Sequence, residues 1–587
     1  MSEKYETQIE VLLERQAEAL EEIARSHAQG SAFDSLCVAM IDGTPSGYKR
    51  AMKAWFKGNN ADNLSAAELT ALVDKWYDIT RVPWDGGVEY YQPDVTGVSN
   101  GTRYGDNVGM QCTPSTDTVA NRDDYAGHPF FAVVDCNWVV DAETKDVQVT
   151  AIDGVAGRFE RYNPKVFVGV LQMNGYIYTV ESAKTYRRGW TSTYKPYANI
   201  DAPFGVRFSD NKFRTWTIHG KYMAGLVNDT LTCCSGIPPR SRDISEDTLI
   251  TRARKIGVGY SGGCMVDWAW LKLMAHIKYA SLTLDGILQG CLSFNTTVYA
   301  LVAEQGTRRL LVTSGNVKNF PVGSRVLIGT RAGSDKGDRN PATAYSISGA
   351  TGYKVVSCEE IILSDTKYTA INLDCEPFDS VANGANDTGT TYASTYLWDS
   401  GTADTVLGND GSMVSCTSGV YPAKLQGIEF AVGAYEVMAD CIMKLYQDES
   451  DTTVYWYEPY IVRDASKQAT SVTSDYVATG IKCQQPASGQ WRYIVKEGYN
   501  KGVFFPINAV GGSSSMYHRD ALYQDSAAVG LREVLAFCYL RYGSSYGGLS
   551  ALNGYDGLWR TWWNYAGRFS EKYLIPIRYI ILAACEN

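Results

Sequence analysis

At 587 residues the chain has room for about three or four domains of ordinary size. Its composition, 45% hydrophobic and 20% charged with no low-complexity tract, is that of a folded globular protein. A net charge of −10 with a pI near 5.2 argues against nucleic acid as the main partner, and no apolar run is long enough to insert in a membrane.

The start, "MSEKYETQIEVLLERQ", lacks the basic and apolar regions of a secretory signal, so synthesis and assembly in a cytoplasm are expected. Within residues 5–28, Ile9, Leu13, Leu20 and Ile23 follow a coiled-coil spacing, which predicts an assembly handle over 1–30 joining copies of the chain. A helix docked on its own domain is the alternative. Residues 31–85 read as a small helical region, in which Ser65 and Glu68 form a capping box. From 86 to 225 the pattern changes to short strands and Gly/Asn/Asp turns, a β-rich domain.

Gly257, Gly259 and Gly262 fit GxGxxG, but a capped, basic, helix-like segment precedes them where a dinucleotide site needs an apolar strand. A helix is predicted over 265–280, with Trp268, Leu271, Met274 and Ile277 at helical spacing. Residues 296–424 read as an inserted β module, a small barrel-like unit of short strands. A second helix is predicted over 432–446, packed on the first. The fourteen cysteines contain no CxxC and the five histidines no cluster, so no metal or cofactor is assigned. The cysteines read as buried reduced thiols, with disulfides the alternative.

The stretch from Tyr542 to Arg568, "YGSSYGGLSALNGYDGLWRTWWNYAGR", is rich in Tyr, Trp, Ser, Asn and Gly and nearly free of charge. Its glycines break any continuous helix, and what remains is ordered loop of the composition that recognition surfaces use.

Four stretches, "GCMVDWAWLKLMAHIKYASLTLDGILQGC", "LQGIEFAVGAYEVMADCI", "GVFFPINAVGGSSSMYHRDALY" and "GGLSALNGYDGLWRTWWNYAGRFS", carry a family resemblance. In that order they resemble bacteriophage tail receptor-binding proteins that end in a C-type-lectin-like domain of the formylglycine-generating-enzyme type. The last is the most specific, with its Gly-Gly, Asn-Gly-x-x-Gly-Leu-aromatic and final Asn-x-x-Gly-Arg. The resemblance covers roughly 230–295 and 425–580.

With the N-terminal helical segment, the β-rich middle and the inserted module read above, it implies an α+β multidomain chain whose discontinuous C-type-lectin-like domain (226–295 with 425–587) carries that module. It also implies a homotrimeric virion adhesin, sitting among other tail proteins and binding a bacterial surface receptor, protein or glycan. In the family some such domains are varied by diversity-generating retroelements, which mutate adenines in Asn-type codons. Residues 539–568 contain none of the Lys, Glu, Gln or Met that such changes cannot produce. On that reading Tyr542, Ser544, Ser545, Tyr546, Ser550, Asn553, Tyr555, Asp556, Arg560 and Tyr565 face outward to the receptor. Gly548, Gly557, Trp559, Trp562, Trp563 and Arg568 are the scaffold beneath them.

Formylglycine-generating enzymes use a close cysteine pair. Cys538 and Cys585 are far apart, and the sugar-binding calcium motifs of C-type lectins are missing, so no catalytic residue and no metal ligand is assigned. The alternatives are a structural tail or baseplate protein and a glycan depolymerase.

Overall fold

Short polar caps start the helices of the N-terminal region. Ser65 accepts from the Glu68 amide while Glu68 accepts from the Ser65 amide (2.9 Å), which begins helix Ala66–Ile79. Thr44 caps Pro45–Gly58, accepting from the Gly47 amide at 3.0 Å. These two helices follow Ser31–Ala39 and bury Trp55 and Trp76 at 5.6 Å between ring centroids, with the Trp76 indole donating to the Tyr48 hydroxyl. In this computed structural model the described residues are 31–571, apart from 198, 205–206, 208, 210–211, 289, 332–338, 407–417, 511–514, 527–528 and 538–547. The coiled-coil positions Ile9, Leu13, Leu20 and Ile23 lie outside them.

Residues 85–220 build two antiparallel sheets. One orders strands Thr102–Gly105, Asp85–Tyr91, Thr185–Thr191, Tyr176–Glu181 and Asn199–Asp201. The other orders Val147–Ile152, Val133–Val140, Phe167–Met173 and Trp216–Gly220. The N-terminal helices reach this second sheet, where the Thr70 hydroxyl accepts from the Val149 amide at 2.9 Å. One apolar cluster then runs from Cys37 to Phe569 through both regions, the central helix and the C-terminal sheet. The β-rich stretch therefore shares its core with the C-terminal half.

The helix predicted over 265–280 is present as Met265–Tyr279, but it is buried on every face rather than one. Even its lysines are buried, Lys272 paired with Glu497 (2.6 Å) and Lys278 with Asp123 (2.7 Å). The segment preceding the glycines forms helix Glu246–Ile256, capped by Ser245.

The helix predicted over 432–446 is instead strand Tyr435–Gln447. It lies inside a ten-stranded sheet between Tyr455–Ile461 and Gly530–Ala536, antiparallel to both. The first nine of its side chains are buried, so its sequence lacks the alternation that marks a half-exposed strand. The sheet continues through Leu552–Gly554, Ala521–Gln524, Gln490–Asn500 and Val503–Val510.

Strands from 297 to 395 form a six-stranded antiparallel sheet with its own core of Leu310, Val312, Phe320, Val326, Ile328 and Ile371 among others. Ser364 and Asp365, both at positive φ, make the two-residue turn of its longest hairpin. Its end strands, Thr297–Tyr299 and Arg309–Thr313, are not laddered together, although Leu301 donates to the Leu311 carbonyl at 2.8 Å. Beyond Thr395 the chain is back in the main core, where Tyr396, Leu397, Ala423 and Leu425 are buried. The self-contained unit thus ends near 395 rather than 424.

A seam joins it to the body. Arg242 donates to the Arg339 carbonyl (2.7 Å) and lies 3.9 Å from the Tyr345 ring, while Trp563 faces Arg339 at 5.1 Å and Tyr396 at 6.1 Å.

Among the described residues no cysteine is in a disulfide, and Cys112, Cys358 and Cys375 are only half-buried. No helix there is long and apolar enough to cross a membrane.

Candidate functional site

The tail of the chain is tied to the body at successive points. Leu552–Gly554 pairs with Gly530–Ala536 and, in parallel, with Ala521–Gln524. Tyr565 and Ala566 run parallel to Tyr435 and Glu436, and Ser570 and Glu571 pair with Ser261 and Tyr260. Between these ties the Tyr555–Arg560 loop is held by backbone bonds from Glu533 to the Asp556 carbonyl (3.0 Å) and from Asp247 to the Leu558 carbonyl (3.2 Å).

This loop walls an open cleft of about 730 Å³. Tyr555, Asp556, Gly557, Leu558, Trp559 and Arg560 form one side, and Asp247, Thr470, Asp525, Leu531 and Arg532 come from elsewhere in the chain. Trp559 is 72% exposed and Tyr555 45%. A Cβ on Gly557 would sit 3.1 Å from the Trp559 indole nitrogen, a tight contact. Arg560 lies over the Trp562 ring at 4.8 Å and 3.8 Å from Asp556, whose carboxylate also accepts from the Tyr565 hydroxyl. Arg532 pairs with Asp525 at 3.0 Å.

Sheet register supplies an aromatic line behind Tyr555. Trp491 is opposite Tyr523 and Tyr523 opposite Asn553, so the rings of Trp491, Tyr523 and Tyr555 follow at 5.0 and 5.3 Å.

One residue behind the lining positions Asp247 and Arg532 lie two fully buried carboxyls, Glu246 and Glu533. Glu533 accepts from the Glu246 amide at 3.1 Å. Burial, and for Glu246 also the neighbouring Glu533, pushes both well above the ordinary carboxyl range.

A second buried cluster fixes the chain at Gly548 and Ser550. Glu497 binds Lys272 (2.6 Å) and Arg188 (3.1 Å), with His518 at 3.8 Å. Burial drives the His518 imidazole down to about 3 despite Glu497, and pushes the Asp520 carboxyl well up. Asp520 accepts from the Ser550 amide at 2.9 Å, and Ser550 and His518 share a hydrogen bond at 3.2 Å. A Cβ on Gly548 would sit 2.0 Å from Asp520, which excludes any larger residue there.

The expected outward set divides accordingly. Tyr542, Ser544, Ser545 and Tyr546 lie outside the described residues. Tyr555, Asp556 and Arg560 come together at the cleft, and Asn553 is half-buried with its side-chain Oδ1 accepting from the Tyr555 amide. Ser550 and Tyr565 do not face outward: Asp520 and His518 hold the first in the core, and the second packs against Tyr435 beneath Asp556.

The expected scaffold also needs correction at Trp559, which is the most exposed aromatic among the described residues of the stretch. Trp562 is half-buried, while Trp563 is 1% exposed. Arg568 is buried on Glu436 (3.1 Å) and on the carbonyls of Gly220, Lys221 and Glu429.

Sequence reasoning missed Asp247, Asp525, Arg532, Trp491 and Tyr523. Asp247 comes from the first turn of helix Glu246–Ile256, and the others from strands Gln490–Asn500, Ala521–Gln524 and Gly530–Ala536 or the residue just past one, so no local motif joins them. Among the described residues no three His, Cys, Asp or Glu side chains converge to hold a metal. No family model matches the sequence, and no curated protein is significantly similar to it.

Proposed function

We propose that the chain is a phage tail receptor-binding protein that attaches a virion to a bacterial surface through the cleft at Tyr555–Arg560. The observation that carries this reading is the exposure of Trp559 and Tyr555 on a loop whose flanks are pinned in the core. A large aromatic side chain left in water gains nothing for folding, whereas Trp, Tyr and Arg clustered at a concave site are what binding hot spots are made of.

The pinned flanks mean that the surface is shaped before its partner arrives, which lowers the ordering cost of association. Asp525 and Asp556 each lie beside an arginine, Arg532 and Arg560, an arrangement suited to holding a ligand.

The test is surface labelling of bacterial cells that the unmodified protein coats. Tyr555→Ala with Trp559→Ala should abolish labelling and leave the unfolding midpoint unchanged. A stable double variant that labels those cells normally refutes the role of this site.

A further inference from the structure

The geometry points to a neutral carbohydrate, a run of hexose-type sugars on the cell surface, as the ligand of the Tyr555–Arg560 cleft; this rests on the adhesion reading above.

Shape is the first argument. A cleft of about 730 Å³ is sized for a discrete ligand, whereas protein partners meet over broad, flatter patches.

The second is the alternation of surfaces within it. Tyr555 and Trp559 offer aromatic rings, whose negative faces attract the electropositive C–H groups on one side of a pyranose ring. Between and beside them stand planar polar groups, Asp556 with Arg560 and Asp525 with Arg532. A sugar carries donor and acceptor on every hydroxyl, and adjacent hydroxyls are spaced to meet both oxygens of a carboxylate or both nitrogens of a guanidinium. A wholly apolar ligand would strip water from these charges without replacing it.

The charge balance selects neutral sugars over acidic ones. The cleft holds three carboxylates, Asp247, Asp525 and Asp556, against two arginines, each with a carboxylate within 4 Å. An anionic sugar would meet net negative charge there.

Rigidity is the last argument. Tyr555 is backed by Tyr523 and Trp491 along the sheet, so its ring is already placed.

The experiment treats coated cells with periodate, which cleaves vicinal diols of sugars, or with a broad protease, and then relabels them. In parallel, the full-length protein is titrated with purified neutral and acidic bacterial polysaccharides, following tryptophan fluorescence. Periodate should abolish labelling whether or not protease does. One or more neutral polysaccharides should bind, and Trp559→Ala should weaken that binding by about tenfold or more.

Labelling that survives periodate, together with no binding to any neutral polysaccharide in the titration, overturns the carbohydrate assignment and leaves the adhesin reading standing. Preference for acidic over neutral polysaccharides also overturns it. Undiminished labelling by the Tyr555→Ala, Trp559→Ala protein removes the site itself, and the carbohydrate with it.

Discussion

Trp559 and Trp563 stand four residues apart, and the same replacement by alanine should have opposite consequences. Trp563 is 1% exposed, and its indole fills the space between Tyr396 and the buried guanidinium of Arg339. Emptying a buried tryptophan site typically costs about 3–5 kcal/mol. Loss of a desolvated cation–π contact adds about 2 kcal/mol where the cation has no other ring. Arg339 keeps its bond to the Thr395 carbonyl (2.8 Å), so the total is placed near the top of the first range, about 4–5 kcal/mol.

Trp559 is 72% exposed, and its removal should stay within about 0.5 kcal/mol of zero. Urea denaturation followed by far-ultraviolet circular dichroism measures both. Because Arg339 lies on the far side of the seam, Trp563→Ala should also speed proteolysis at the edges of the 297–395 sheet. A loss below about 1 kcal/mol for Trp563→Ala, or equal losses for the two variants, would refute this assignment of core and surface.

Glu497→Gln should destabilise the fold by about 3–5 kcal/mol, because Lys272 and Arg188 would remain buried without their counter-charge. Burial raises the Glu497 carboxyl, but Lys272, His518 and Arg188 outweigh it and hold the group well below its ordinary range. Its stabilisation is therefore present above the unfolded value of 4.5 and is lost as pH falls below it, a loss the variant should not show in acid titrations of stability.

Glu429 has the opposite sign. Burial pushes it up to about 7 even though the Ala403 and Gly401 amides donate to it, so its contribution is full below 4.5 and declines as pH rises to about 7. Glu429→Gln should flatten the stability profile in that window. An unchanged slope would mean that Glu429 is ionised in the fold.

How much of this could be read from the chain depended on whether a residue's environment is set locally. The capping box at Ser65 and the helix at 265–279 were legible because caps and helical spacing act within four residues. The strand at 435–447 was not. With its first nine positions buried, Glu436 and Asp440 among them, it lacks the alternation of a half-exposed strand, and its ladder shifts register between Met438 and Ile442.

At the site, composition found Tyr555, Asp556 and Arg560. The same reasoning placed Ser550 and Tyr565 outside, because small polar and phenolic residues serve cores and surfaces alike and their burial is decided by Asp520, His518 and Tyr435. The family resemblance sets Trp559 among the scaffold residues, but its exposure depends on how the Tyr555–Arg560 loop runs, which the motif does not specify. Asp247, Asp525 and Arg532 were invisible because fold closure alone makes them neighbours.

The first and last strands of the six-stranded sheet are partners in one ladder, Thr297 opposite Ser394, and Thr296 and Thr395 exchange bonds at 2.9 and 3.0 Å. The polypeptide therefore leaves the body and comes back at nearly the same place, about 5 Å apart across a strand pair. For the body, what hangs between those two threonines is topologically a loop, whether it holds two residues or a hundred, and closing a longer loop adds little free energy. This makes 296–395 a socket. A different unit with neighbouring termini could be exchanged there by recombination or by design without redrawing the sheet that carries the cleft, provided that it offers Trp563 and Arg242 something to pack on.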